Sequence, residues 1–169
     1  AVVFDMGNTL MHIISEYTGP MIYWPRVEPV DGIAMALKRL PKTLICCVAS
    51  NSGISNSDML GAALARASLR KFFQYVFTSR DLGFEKPDPR FFYKVLEHLN
   101  VAPNECIMVG DEYSKDIVGA KSVGMHTIWF SREQVSKPTP QADAIIDSMA
   151  ELPPAVAKLM AIANRQSGH

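Results

Sequence analysis

Short apolar runs alternate with amphipathic stretches along most of this chain, and that alternation limits the fold more than any other feature. Runs at residues 2–4, 43–49, 75–78, 106–109 and 126–130 are rich in Val, Ile, Phe and Cys and read as buried strands. Residues 144–146 read as a further short edge strand. Between them lie stretches of helical period. Residues 31–40 put Ile33, Leu37 and Leu40 on one face. Residues 55–68 carry Leu60, Ala63, Leu64 and Ala67 at i, i+3, i+4, i+7, and residues 88–99 turn Phe92, Val95, Leu96 and Leu99 inward. Residues 114–123 do the same with Ile117, Ala120 and Val123, stopped by Gly124 at C′. Pro153 or Pro154 starts a last helix, to about residue 163. Strand–helix alternation calls for an α/β fold: a mainly parallel sheet with helices on both faces.

Polar residues cluster where such a sheet keeps its ligand crevice, at the carboxyl ends of the strands. Asp5 ends the first run, inside Phe4-Asp5-Met6-Gly7-Asn8-Thr9-Leu10, where Gly7 and Asn8 suit a tight turn. Ser50-Asn51 follow the second strand, and Lys86 lies in the loop after the third. Asp111 follows the fourth, with Asp116 five residues on. Each fits a blander role taken singly: Asp5, Ser50, Asn51 and Asp111 as turn or capping residues, Lys86 as a solvated lysine, Asp116 as a surface acid in a first helical turn. Four matching positions on one sheet edge make coincidence a poor account.

The chemistry these residues suit is phosphoryl transfer. Facing carboxylates repel unless a proton or a cation sits between them. Mg²⁺ takes hard oxygen ligands, and Asp5, Asp111 and a nearby backbone carbonyl supply them. Lys86, the Ser50 hydroxyl and backbone N–H groups after the second strand can offset an arriving phosphate. Pro87 biases Lys86 towards extended backbone. Asp5 can then act as a nucleophile and carry an aspartyl-phosphate.

Composition narrows the alternatives. The 169 residues carry 17 basic and 17 acidic side chains. That balance argues against a nucleic-acid scaffold or a polybasic membrane binder. No run is long enough to span a bilayer, and the N-terminal apolar run is too short for a signal peptide. The first strand starts almost at Ala1, so a few residues upstream are expected. Cys46, Cys47 and Cys106 sit in strand-like runs, with no zinc spacing, and read as small buried hydrophobes. Cys46 and Cys47 face opposite sides of one strand. A cytoplasmic setting is expected. No repeat or linker appears, so one domain over residues 1–169 is expected, with a polar loop at 131–142 and turns or a small hairpin at 12–30.

The ordered set Asp5-Met6-Gly7-Asn8-Thr9-Leu10, Ser50-Asn51, Lys86-Pro87 and Gly110-Asp111 through Asp116 resembles the four motifs of the haloacid dehalogenase-like (HAD) hydrolase superfamily. The resemblance covers residue 1 to about residue 146. It implies a three-layer Rossmann-like core with strand order 5-4-1-2-3 and a Mg²⁺-dependent phosphatase. Asp5 would be nucleophile and metal ligand, and Gly7 would lend its carbonyl to the metal. Ser50 and Asn51 would bind phosphate, with Lys86 steadying nucleophile and phosphate. Asp111 would bind the metal, Asp116 would stand behind it, and Thr9 would orient the turn.

Two departures stand out. The family's phosphatases carry a second, acid–base aspartate two positions after the nucleophile, where this chain has Gly7. General acid–base help is worth ~10²–10⁴-fold. His12, Glu16 and Glu112 are the substitutes that lie near in sequence, and an acyl or aryl phosphate would need less help. Residues 11–30 are also too few for a cap domain and read as a flap over an open site, suited to a bulky substrate or one covered by a partner subunit. Family dehalogenases also lack the second aspartate and need no metal, so halide release from a 2-haloacid is an alternative. A non-catalytic phosphate- and metal-binding module is another. A homo-oligomer is left open.

Overall fold

A computed structural model describes residues 1–132 and 139–166. Six strands form one sheet: β1 (Val2–Phe4), β2 (Cys46–Ser50), β3 (Tyr75–Thr78), β4 (Ile107–Gly110), β5 (His126–Phe130) and β6 (Ala144–Ile146). Every pairing is parallel, in the order β3-β2-β1-β4-β5-β6. The expected order 5-4-1-2-3 holds, with β6 added beside β5. Six α-helical segments accompany the sheet: α1 (Ile33–Arg39), α2 (Ser57–Arg66), α3 (Ser79–Leu82), α4 (Pro89–Leu99), α5 (Gly119–Ser122) and α6 (Leu152–Gln166).

Alternating side chains divide the core into two layers, as the period of a strand requires. Val2, Phe4, Cys46, Val48, Ile107 and Val109 point to the side covered by α1, α2 and α6. Val3, Cys47, Ala49, Cys106 and Met108 point to the side covered by α4 and α5. All three cysteines are buried, and Cys46 and Cys47 face opposite layers.

The helix ends follow from local chemistry. Asn56 caps α2 by accepting the Met59 N–H at 2.9 Å, and Asp88 caps α4 through the Arg90 N–H with Pro89 at its first position. Gly124 takes φ +89° after α5, the left-handed stop expected of it. Several elements differ in extent from their sequence patterns. α1 begins at Ile33, after Gly32 at φ +78°, and β2 begins at Cys46, after a turn at Leu44. α6 runs past residue 163 to Gln166.

One element differs in kind. The helix expected over 114–123 opens as a π-helix at Tyr113–Val118 and becomes α-helical only at α5. Wide turns of this type sit frequently at functional sites, and this one carries Asp116. Residues 11–30 form the expected flap: Met11 bridges to Pro29 antiparallel, the His12 N–H donates to Glu28 O at 2.8 Å, and Met21–Tyr23 make one 3₁₀ turn. Arg66 on α2 ties the flap down, donating to Ile22 O at 2.8 Å and Pro25 O at 3.2 Å. Residues 133–138 of the polar loop expected at 131–142 lie outside the described residues.

The edge of the sheet is held by Asp143. Its carboxylate accepts the Thr127 N–H at 2.9 Å and the Lys121 ammonium at 2.6 Å. Burial raises its pKa, but the Lys121 and Thr127 hydrogen bonds outweigh that and hold it below the usual carboxylate value. A carboxylate with a depressed folded pKa contributes stability that is complete above its unfolded pKa, ~4, and is lost as pH falls through the lower folded value. Asp143→Asn is therefore expected to cost about 1–2 kcal/mol at pH 7. The difference from the parent should shrink as pH falls below ~4, checked by urea unfolding across a pH series.

Candidate active site

The parallel register sets the end of β1 between the ends of β2 and β4. Phe4 pairs with Val48 on one side and Val109 on the other. Asp5, Ser50-Asn51 and Asp111 therefore leave the sheet side by side. Asp5 continues the ladder for one more bond, its N–H donating to Val109 O at 2.9 Å.

Lys86 comes to this edge from the loop before α4, and its ammonium is buried, with the side chain 2% exposed. Nζ donates to Asp5 Oδ1 at 2.6 Å, Asp116 Oδ1 at 2.7 Å and Ala49 O at 2.8 Å. An ammonium has three protons, and these three acceptors use them all. Burial works against its charge, but Asp5 and Asp116 outweigh burial and raise its pKa, so Lys86 is a fixed cation.

Asn51 explains how the lysine is aimed. Its side-chain amide accepts the Lys86 N–H at 2.7 Å and donates to Lys86 O at 2.7 Å. The sequence pattern suggests that Asn51 binds phosphate; in this structure its side chain clamps the Lys86 backbone to the end of β2.

Asp116 is the residue that sequence reasoning placed least well. A surface acid in a first helical turn was one reading, yet the residue is 1% exposed. The π-helix turns it inward, where Oδ1 meets Lys86 and Oδ2 accepts the Glu112 N–H at 3.0 Å. Gly110 makes room for it: a Cβ there would run into the Asp116 carboxylate. Gly110 at the end of β4, just ahead of Asp111, was the available signal.

Asp111 is held from both sides. Thr9, fully buried, donates its hydroxyl to Asp111 Oδ1 at 3.2 Å, and the Trp129 indole N–H donates to Asp111 O at 2.9 Å. Trp129 was not read from sequence as part of the site. Carboxylate oxygens of Asp5, Asp111 and Asp116 lie within 4.8 Å of one another. Burial, with the charge on Asp5 adding to it, pushes Asp111 up to about 6. Burial pushes Asp116 up to about 7, against the pull of Lys86.

Three acids thus share one lysine, and the cluster is short of positive charge. Asp116 spends both oxygens on Lys86 and Glu112, which leaves Asp5 and Asp111 as the pair best able to hold a cation. A divalent ion with a preference for oxygen fits that donor set. The cysteines offer no competing chemistry: burial pushes Cys46 up to about 11 and Cys106 up to about 12.

A cavity of about 470 Å³ opens over this edge, lined by Asp5, Gly7, Ser50, Asn51, Asp111 and Glu112, with flap residues opposite. Asn8 takes φ +54°, the left-handed turn expected near Gly7. Gly7 itself serves by its size, since a Cβ there would come 3.0 Å from Ile13 Cδ1. Of the three acid–base substitutes considered, Glu112 lines this cavity and pairs with Lys115 at 2.8 Å. His12 lines a separate cleft beside Arg132, and Glu16 is exposed away from the cavity.

A family model described as haloacid dehalogenase-like hydrolase matches residues 2–130, and the chain belongs to that hydrolase family. A glyceraldehyde 3-phosphate phosphatase of Pyrococcus furiosus is 49% identical over 67 residues, 40% of this chain and 28% of that protein. The matches span between 28% and 43% of the lengths of the curated relatives. An uncharacterized protein from Listeria monocytogenes shares the fold, with TM-score 0.82 at 23% identity over 95% of this chain and 98% of that one. A 2-haloacid dehalogenase of Pseudomonas syringae aligns with TM-score 0.63 at 28% identity, covering 79% of this chain and 55% of that one. No helix among the described residues is long and apolar enough to cross a membrane.

Breaking a buried charge pair by removing one partner costs about 3–5 kcal/mol, because the other charge is left uncompensated. Lys86→Ala is expected to fall in that range by thermal or urea unfolding. Gly110→Ala should cost about 1–3 kcal/mol, the usual penalty for forcing a methyl group into a filled space.

Proposed function

We infer that this chain is a Mg²⁺-dependent phosphomonoester hydrolase that works through an aspartyl-phosphate on Asp5. The observation that carries this reading is the buried Lys86 ammonium bonded to Asp5 and Asp116, with Asp111 alongside, at the floor of a cavity lined by Ser50 and Asn51. Family membership and the phosphatase among its relatives support it.

Lys86 holds Asp5 through Oδ1, so Oδ2 is the oxygen that attacks phosphorus. The Ser50 hydroxyl and the backbone N–H groups that follow β2 receive the phosphate oxygens. Lys86, its protons already used, contributes its charge and its grip on the nucleophile. Asp116 keeps that lysine ionised and in place. A Mg²⁺ held by Asp5, Asp111 and the Gly7 carbonyl would neutralise the charge of the arriving phosphate. Thr9 and Trp129 keep Asp111 turned to that task. The three buried cysteines agree with a reducing, cytoplasmic setting.

The second reading, metal-independent dehalogenation, draws on the Pseudomonas syringae likeness and on the apolar flap. The carboxylate cluster favours the first, since a reaction without a cation has no use for three acids around one lysine.

Phosphate release from 4-nitrophenyl phosphate should depend on added Mg²⁺ and stop with EDTA. Asp5→Asn should lower it on the order of 10³-fold or more. Undiminished release by Asp5→Asn would refute the assignment. Halide release from 2-chloropropionate without metal would favour the second reading.

A further inference from the structure

The cavity over Asp5 has two unlike walls. One carries the polar ends of the strands. The other is apolar: Met21, Trp24 and Leu60 are buried in it, and Ile13 and Ile54 stand at its rim, 52% and 59% exposed. None of its described lining residues is Lys, Arg or His. Among the described residues, cations bonded to this lining are already engaged, Arg80 on Ile54 O, Arg132 on Asn8 O and Lys115 on Glu112, so a second phosphate or a carboxylate on the substrate would meet mainly hydrocarbon, and burying an unpaired charge is costly. Exposed apolar side chains grouped around a concave site mark binding.

The position beside the nucleophile points the same way. Gly7 carries no side chain, and Ile13 Cδ1 stands 3.0 Å from where its Cβ would be. Hydrocarbon therefore stands beside residue 7, where the chain itself offers no acid. The flap that brings this hydrocarbon is pinned by Arg66 on Ile22 O and Pro25 O, and within it the Trp24 indole N–H is bonded to Gly19 O at 3.1 Å. The wall is a built surface.

We propose that the substrate is a small aryl phosphate: a phosphate monoester of an uncharged aromatic alcohol, whose ring lies against Ile13, Met21 and Trp24. This rests on the hydrolase reading above and adds to it what the ester group must be. A phenolic oxygen, with a pKa near 10, leaves as the oxide without a proton delivered by the protein, whereas an alkyl oxygen does not. In the first step an Asp5 oxygen bonds to phosphorus as the phosphorus–aryl oxygen bond breaks, and the electron pair departs with the aryl oxide, which takes a proton from solvent. In the second, water attacks phosphorus, the Asp5–phosphorus bond breaks, and inorganic phosphate leaves with the Asp5 carboxylate restored. A cavity of about 470 Å³ has room for the phosphate together with one or two fused rings.

The test is a set of esters assayed with the whole chain and Mg²⁺: 1-naphthyl phosphate, 4-carboxyphenyl phosphate, phosphoserine and a phosphotyrosyl pentapeptide. The expected kcat/KM for 1-naphthyl phosphate exceeds that for each of the others at least tenfold. The deficit of 4-carboxyphenyl phosphate should lie mainly in KM. Ile13→Ala, a change at an exposed position that leaves folding intact, should raise KM for 1-naphthyl phosphate about fivefold, as loss of part of an apolar contact would. Equal kcat/KM for the carboxylated ester or phosphoserine, or an unmoved KM in Ile13→Ala, would overturn the aryl assignment while leaving the hydrolase reading standing. Equal turnover of the peptide would overturn the small-molecule part. No release from any ester above an Asp5→Asn control would instead overturn both.

Discussion

Everything at this site depends on one buried ammonium. Lys86 joins the end of β1 through Asp5, the end of β2 through Ala49 O, and the π-helix after β4 through Asp116. Those three elements belong to different parts of the chain, and only a parallel sheet puts their ends within reach of one side chain. Removing so much solvent from a lysine is tolerable because both acids and a carbonyl replace water around it. Once it is there, the position of Asp5 is set by a charge that solvent cannot screen.

The surrounding residues make sense as supports for that ammonium. Asn51 grips the Lys86 backbone from both sides of its amide. Gly110 leaves space for Asp116, and the π-helix turns Asp116 toward the sheet. Thr9 and Trp129 do for Asp111 what Asn51 does for Lys86. The result is a cluster of three carboxylates and one lysine, short of positive charge even after Asp116 is paired, and a cation is the natural complement. Against this polar floor the flap sets hydrocarbon, so the cavity has walls of opposite character.

Much of this was legible from residue order. The strand–helix alternation gave the parallel sheet, and the period of the strands gave the two core layers that Cys46 and Cys47 divide. Asp5 and Asp111 stood out because each follows an apolar run, and Lys86 because it lies in the loop after one. Asp116 was ambiguous, since a helical turn with an acid near its start looks the same whether that acid faces water or a lysine. The π-helix that decides it has no mark in a pattern of apolar residues with period 3.6. The clamp of the Asn51 side chain on the Lys86 backbone has no mark in the sequence, because what an amide binds depends on which backbone comes within 3 Å of it.

Local chemistry alone therefore determined the order of elements, the capping of α2 and α4, and the set of polar residues that stand at strand ends, since each depends on neighbours a few positions away. The use of those residues was decided by tertiary structure. That Lys86 spends all its protons within the protein, that Ile13 fills the space beside Gly7, and that Trp129 holds Asp111 are contacts between segments far apart in the chain. Their physical basis is close packing around buried charge, which exists only once the sheet has closed and water has been excluded.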